Sequence, residues 1–185
     1  MARVRSIPST ELPADLADIY ERFAAGYGPF RNQLAVFAHV PAALRHLMAM
    51  LMELRAANTL PKRYLELAIV TVSKLNECDY CVAHHKPFLA TEGISPAGTD
   101  RVLDYADHPE FDAVDRLVVE YTIAAWNEPY RLRDRLFDRL REHFSEAQIV
   151  ELTLRITLCG FFNKFNDALR IEEENEAAAQ LAAIA

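Results

Sequence analysis

The sequence predicts an all-α protein. Apolar residues recur at three- and four-residue spacings, alternating strand-like runs are scarce, and only five of the 185 residues are glycine. The expected architecture is one helical domain over residues 1–185, long enough to bury a sizeable core.

Proline, glycine and asparagine divide the chain into about eight helices. The first is expected from Pro13 to Ala25, ending at Gly26 and Gly28, and a short one from Phe30 to Phe37. Pro41 opens a third, in which Leu44, Leu47, Met48, Leu51 and Leu54 form an apolar stripe before Asn58. The methionines Met48, Met50 and Met52 read as core or subunit contact. Pro61 starts a helix to about Leu75, and Asn76 is expected to cap the next one, which stops at Gly93. Ser95-Pro96 begins a helix to Tyr105, followed by helices over Phe111–Trp126 and Arg131–Phe144. Ser145-Glu146-Ala147-Gln148 has the form of a capping box and opens the last long helix, expected to reach Arg170. Beyond it, Glu172 to Glu174 and an Ala-rich end read as a frayed helix or an oligomer arm.

A shift of 85 residues sets Glu66-Leu67 over Glu151-Leu152, Cys78 over Asn163, Cys81 over Asn166 and His85 over Arg170. Residues 145–170 therefore read as a degenerate second repeat, a helical pair whose reactive positions have been replaced.

Half of the residues are hydrophobic (51%), a quarter are charged and the formal net charge is −7. Phosphate binding needs a basic face, so a nucleic-acid partner is not expected. No run reaches membrane-spanning length, and Met-Ala-Arg-Val-Arg-Ser-Ile-Pro lacks the apolar stretch of a signal peptide. A cytoplasmic location, with no membrane partner, is the expectation. Three cysteines do not make a disulfide-stapled scaffold.

Residues 78 to 85 read Cys-Asp-Tyr-Cys-Val-Ala-His-His and carry the strongest chemical signal. On a helix, Cys78, Cys81 and His85 fall within about 60° of one another. Such a thiol pair can close a disulfide, and an adjacent base can turn one thiol into the reactive thiolate. A position near the helix start favours a thiolate at Cys78, whereas His85 at i+4 favours one at Cys81. The competing readings are two cysteines packed as small hydrophobes, or three ligands of a zinc site. For zinc, only isolated residues such as His84, His108 or Cys159 offer a fourth ligand. Val82 stands where a c-type haem motif requires histidine. No metal or cofactor is expected.

Glu66, in the apolar run Tyr-Leu-Glu-Leu-Ala-Ile-Val, is a candidate to orient His85, against the ordinary reading of a solvent-facing glutamate. Tyr80 is either a hydrogen-bond donor in the site or a packed aromatic. His84 lies about 100° from His85 on the helical wheel and reads as peripheral. Cys159 reads as core. Asn163, Lys164 and Asn166 form a polar break in an apolar helix, where Asn163 and Asn166 either satisfy buried backbone or line a pocket.

The stretch Leu60–Gly93, with Glu66, Cys78-x-x-Cys81 and His85 at their spacings, resembles the carboxymuconolactone decarboxylase-like family and within it the alkylhydroperoxidase D-like branch. The ending Phe162-Asn163-Lys164-Phe165-Asn166 is similar to long-chain members. The resemblance implies an all-helical, usually oligomeric fold and a metal-free thiol peroxidase acting on organic hydroperoxides. It implies that Cys81 attacks peroxide, Cys78 resolves, and Glu66 and His85 relay protons. It also implies a dithiol reductant, in related peroxidases a lipoyl carrier protein. The best-known branch has a further histidine just before the second cysteine, where this chain has Tyr80. The alternatives are a cofactor-free decarboxylase or lactone-processing enzyme using Glu66 and His85, and a non-enzymatic redox sensor.

Overall fold

In the computed structural model, which describes residues 2–174, proline and polar caps start most helices where the chain pattern places them. Nine α-helices and three short 3₁₀ turns are present among these residues, with no strand. The helices are α1 (Ala14–Gly26), α2 (Arg31–Phe37), α3 (Pro41–Ala57), α4 (Lys62–Leu75), α5 (Asp79–Thr91), α6 (Pro96–Asp100), α7 (Ala113–Asn127), α8 (Asp134–Arg141) and α9 (Glu146–Leu169). No helix among them is long and apolar enough to cross a membrane. The Ala-rich end lies outside the described residues.

Two apolar clusters form the interior. One joins α4, α7 and α9 through Leu67, Val70, Leu117, Val118, Leu152 and Ile156. The other joins α1, α2 and α3 through Phe23, Phe30, Leu34, Leu44 and Met48, and also takes in Cys78, Tyr80 and Cys81. The thiol pair thus sits where the N-terminal helices cover the central ones. Arg63 on α4 clamps α7, its Nε and Nη2 donating to the fully buried Asp115 at 2.8 and 2.5 Å. At Gly160 on α9, the Trp126 ring occupies the space a side chain would take.

The expected caps hold at Ser145, whose side chain accepts from Gln148 N while the Gln148 side chain accepts from Ser145 N. Three boundaries differ. The helix expected from Ser95 to Tyr105 ends at Asp100, where buried His108 ties down the Gly98 carbonyl at 2.9 Å. The one expected over Arg131–Phe144 is a 3₁₀ turn, Pro129–Arg131, followed by α8. Leu132 and Arg133 between them are extended, and Leu132 packs on the central cluster. α9 runs unbroken over the segment that the 85-residue shift sets against α4 and α5.

The third difference positions the site. Asn76 does not cap the motif helix; it ends α4. Glu77 follows in the left-handed region at φ 56°. Its N–H donates to the Lys74 carbonyl at 3.2 Å, and the Cys78 N–H donates to the Ser73 carbonyl at 2.9 Å. This paired closure is a Schellman turn, which satisfies the last carbonyls of α4 and reverses the chain in two residues. Cys78 becomes the N-cap of α5, two places before the second helical position expected with Asn76 as cap.

Candidate functional site

The tight turn lays α5 back along α4 and brings Glu66 to His85. Glu66 is buried, not solvent-facing, and its Oε2 accepts from His85 Nδ1 at 2.8 Å. A carboxylate on Nδ1 fixes the ring's orientation and leaves Nε2 to act as the base.

His85 and Cys81 line one small cavity of about 50 Å³. Its walls are largely apolar and aromatic, including Phe23, Tyr27, Phe30 and Phe162, and Cys159, Gln33 and Arg155 also reach it. That space is ample for a peroxide group beside the thiol, since one water needs only about 10–15 Å³ on this measure. On the other side of His85 lies a larger chamber of about 170 Å³, lined by Glu66, Leu60, Leu65, Phe88, Arg55 and Arg155 among others.

The two motif cysteines differ in environment. Cys78 is fully buried, and a hydrogen bond with the Cys81 thiol, reinforced by burial, holds its own thiol well above the ordinary value. Cys81 keeps slight exposure, on the cavity side, and its sulfur accepts from Asn166 Nδ2 at 3.3 Å. All three cysteines are free thiols.

The asparagines on α9 are buried and directed at the motif. Asn166 also accepts from Gln33 Nε2 at 2.9 Å, which spans from α2 to the thiol. Asn163 donates to Ser73 Oγ at 3.2 Å and accepts from Asn76 Nδ2 at 2.9 Å, bracing the Schellman turn. The Asn163 carbonyl stands 3.9 Å from Cys78 Sγ. Residues 163–166 therefore continue α9 as regular helix, and the polar break is a polar face turned toward the thiols.

His84 is not peripheral, because the segment after α9 covers it. It is fully buried, with Nδ1 bonded to the Tyr80 carbonyl at 2.7 Å and Nε2 to Glu174 Oε2 at 2.5 Å. The chain after α9 folds back to deliver Glu174, which also accepts from Tyr80 OH at 3.2 Å and Asn32 N at 2.5 Å. Tyr80 is both a packed aromatic, stacked on His84 with ring centroids 4.1 Å apart, and a hydrogen-bond donor directed away from the cavity. Burial first, and then the Glu174 charge, push its phenol well up.

Cys159 is core, as expected, but it also lines the Cys81 cavity. Burial pushes its thiol up to about 12. His108 is held on both nitrogens, by the Gly98 carbonyl and the Glu110 N–H. Among the described residues, no three His, Cys, Asp or Glu side chains are grouped to hold a metal ion.

The sequence reading did not single out Arg155, Tyr27 or Gln33, and where it has Glu172 to Glu174 as a frayed helix or an oligomer arm the segment is non-helical, with Glu174 buried against His84. For Arg155 a signal existed: Glu151 and Arg155 stand at i,i+4 inside an apolar stretch, and both are buried, with Nη2 to Oε1 at 3.2 Å. The others come from distant segments and carry no local mark.

Residues 41–106 match the model of the carboxymuconolactone decarboxylase family. The uncharacterized protein YnjA of Escherichia coli K12 is 30% identical over 105 residues, a match that spans 57% of this chain and 58% of that protein. Among solved structures, an uncharacterized peroxidase-related protein from Ralstonia eutropha JMP134 with an alkylhydroperoxidase AhpD core superposes with a TM-score of 0.78 at 23% identity. That likeness covers 95% of this chain and 94% of the other. A peroxidase-related protein from Silicibacter sp. TM1040 gives a TM-score of 0.82 at 18% identity over 97% and 95% of the two chains. The debrominase Bmp8 gives 0.72 at 18% identity over 93% and 92%. At these identities the structural likenesses speak to the fold, which is the all-α alkylhydroperoxidase D-like arrangement.

Proposed function

We propose that this chain, which belongs to the carboxymuconolactone decarboxylase/alkylhydroperoxidase D-like family, is a thiol peroxidase that reduces organic hydroperoxides through Cys81 and Cys78. Membership supports an enzyme of the peroxidase-related or carboxymuconolactone decarboxylase type. The finer assignment rests on one observation: Cys81 and His85 face the same cavity, while Glu66 holds the far nitrogen of that histidine.

In the proposed cycle His85 takes the Cys81 proton, and the thiolate attacks the distal oxygen of the hydroperoxide. The O–O bond breaks, the departing alkoxide takes the proton from His85, and Cys81 is left as the sulfenic acid. The Cys78 thiol then attacks the Cys81 sulfur, a disulfide forms and water leaves. An external dithiol, such as a dihydrolipoyl group on a carrier protein, exchanges with the disulfide and restores both thiols. Full burial and the raised thiol of Cys78 weigh against it as the peroxide-attacking thiolate, which supports Cys81 in that role and leaves Cys78 to resolve.

Tyr80 stands where the best-known branch has a second histidine, and its hydroxyl faces Glu174, so the relay here consists of Glu66 and His85 alone. Self-association belongs to the same reading. Exposed Val150, Leu154 and Phe161 on α9 support it, and sedimentation of the purified protein tests it. The decarboxylase alternative leaves Cys81 without a task in the cavity it lines.

The test is free thiol content of the reduced protein, followed in time after a small excess of tert-butyl or cumene hydroperoxide, with Cys81→Ser alongside. Rapid loss of two thiols, absent in the variant, is the expected result. Turnover retained in Cys81→Ser would overturn the assignment. Oxidation that changes association without turnover would support a redox sensor instead.

A further inference from the structure

The chamber on the Glu66 side of His85 has a charge character unlike the rest of this acidic chain. Arg55, Lys62 and Arg155 line it, against Glu66 and Glu151. Glu66 is engaged by His85, and Glu151 Oε1 takes Nε and Nη2 of Arg155 at 3.3 and 3.2 Å. Lys62 is shared with Glu92 at 3.4 Å. Arg55 has no carboxylate partner among the described residues; it donates to the Tyr27 carbonyl and lies over the Tyr27 and Phe88 rings.

A guanidinium offers five N–H donors. Arg155 is buried and lines both cavities, and its Nη1 meets only the Tyr27 hydroxyl, at 3.5 Å, the outer limit of a hydrogen bond. Two guanidinium groups with unused donors therefore flank a chamber whose other walls include Leu54, Leu60, Leu65 and Phe88. That combination is complementary to a short apolar chain ending in an anion.

We infer that the Arg55–Arg155 chamber is a carboxylate-binding subsite, and that the substrates preferred by the proposed peroxidase are short organic hydroperoxides carrying a carboxylate. The carbon body and carboxylate occupy the chamber, and the peroxide group passes His85 to reach Cys81. The substrate assignment rests on the peroxidase reading; the binding subsite does not.

An alkylation pair separates the two. Iodoacetate and iodoacetamide both form the S–C bond to Cys81 with loss of iodide and differ only in charge. The rate ratio of iodoacetate to iodoacetamide at Cys81, read by peptide mass spectrometry, should exceed the same ratio for glutathione by about tenfold, equivalent to about 1.4 kcal/mol. Arg55→Gln should lower it severalfold. Arg155→Gln combined with Glu151→Gln, which avoids stranding a buried carboxylate, should bring it near the glutathione value. If that double variant does not fold, Arg55→Gln alone decides. A wild-type ratio equal to that of glutathione, or failure of both reagents to reach Cys81, would overturn the subsite. Peroxide turnover is then compared for a short hydroperoxy acid and its methyl ester, and the acid should have the higher kcat/KM. Equal kcat/KM values overturn the substrate assignment, whereas absence of turnover with either compound counts against the peroxidase reading and leaves the alkylation result standing.

Discussion

Glu174 and His84 meet at 2.5 Å although 90 residues separate them, joining the segment after α9 to the helix that carries the thiols. The same carboxylate serves Tyr80 OH and Asn32 N. Removing it leaves Tyr80 OH and Asn32 N without this acceptor, while His84 Nε2 keeps the Pro29 carbonyl at 3.0 Å, and an unsatisfied buried group costs about 1–3 kcal/mol. Glu174→Ala should therefore lower the unfolding free energy by about 2 kcal/mol in urea titration. An unchanged midpoint would mean that water replaces the carboxylate at little cost.

The three thiols should label in a fixed order. Cys81 borders the cavity, whereas Cys78 and Cys159 are buried and both thiols are pushed up, Cys159 to about 12. Iodoacetamide at pH 8 should modify Cys81 in the native protein and the other two only after denaturant is added. Mass mapping would show the order directly.

Alkaline stability follows from the same groups. A thiol whose native value is raised from 9.0 to about 12 keeps its proton when the unfolded chain has lost it. The unfolded state then binds fewer protons, so stability is intact below about pH 9 and falls as pH rises toward 12. In that window Cys159 contributes a slope of about 1.4 kcal/mol per pH unit. Cys159→Ala should flatten the decline in unfolding free energy between pH 9 and 11, and an unaltered slope would contradict the raised value.

Glu66→Gln keeps the shape of the contact with His85 and removes its charge. The proposed base weakens but is not removed, so the alkylation rate of Cys81 at neutral pH should fall about 10- to 100-fold, less than the roughly 10²–10⁴-fold a positioned base contributes. The thermal midpoint should move little by comparison. An unchanged rate would separate Glu66 from the chemistry.

At Gly160 a Cβ would stand 1.9 Å from the Trp126 ring. Trp126 is anchored, its Nε1 donating to Asn76 Oδ1 at 3.1 Å, next to the turn that presents Cys78. Gly160→Ala should destabilise by about 1–3 kcal/mol, the usual range for overpacking. It should also shift the emission of Trp126, the single tryptophan of the chain. Native stability and emission would show that the helices can slide apart freely.

What was legible in the sequence was local. The helical period, Pro41 at the start of α3 and the Ser145 capping box depend on contacts within four residues, and they appear where expected. The i,i+4 relation of Cys81 and His85 is of the same kind. Asn76 ends α4 rather than capping α5, because an asparagine suits either end of a helix. The choice was made by the left-handed Glu77 and by Asn163, 87 residues away, which holds the Asn76 side chain.

By itself, then, the sequence determined an all-α chain with two thiols and a histidine on one helical face, because helical periodicity and spacing are properties of neighbouring residues. Only the tertiary structure decided that Glu66 is buried against His85, that Cys81 rather than Cys78 opens on a cavity, and that His84 is an internal anchor. It also placed Arg155, Tyr27 and Gln33 around the thiol. Burial and pairing of a polar side chain depend on which distant segment covers it, and the packing of α1, α2, α9 and the Glu174 segment over α5 supplies that covering.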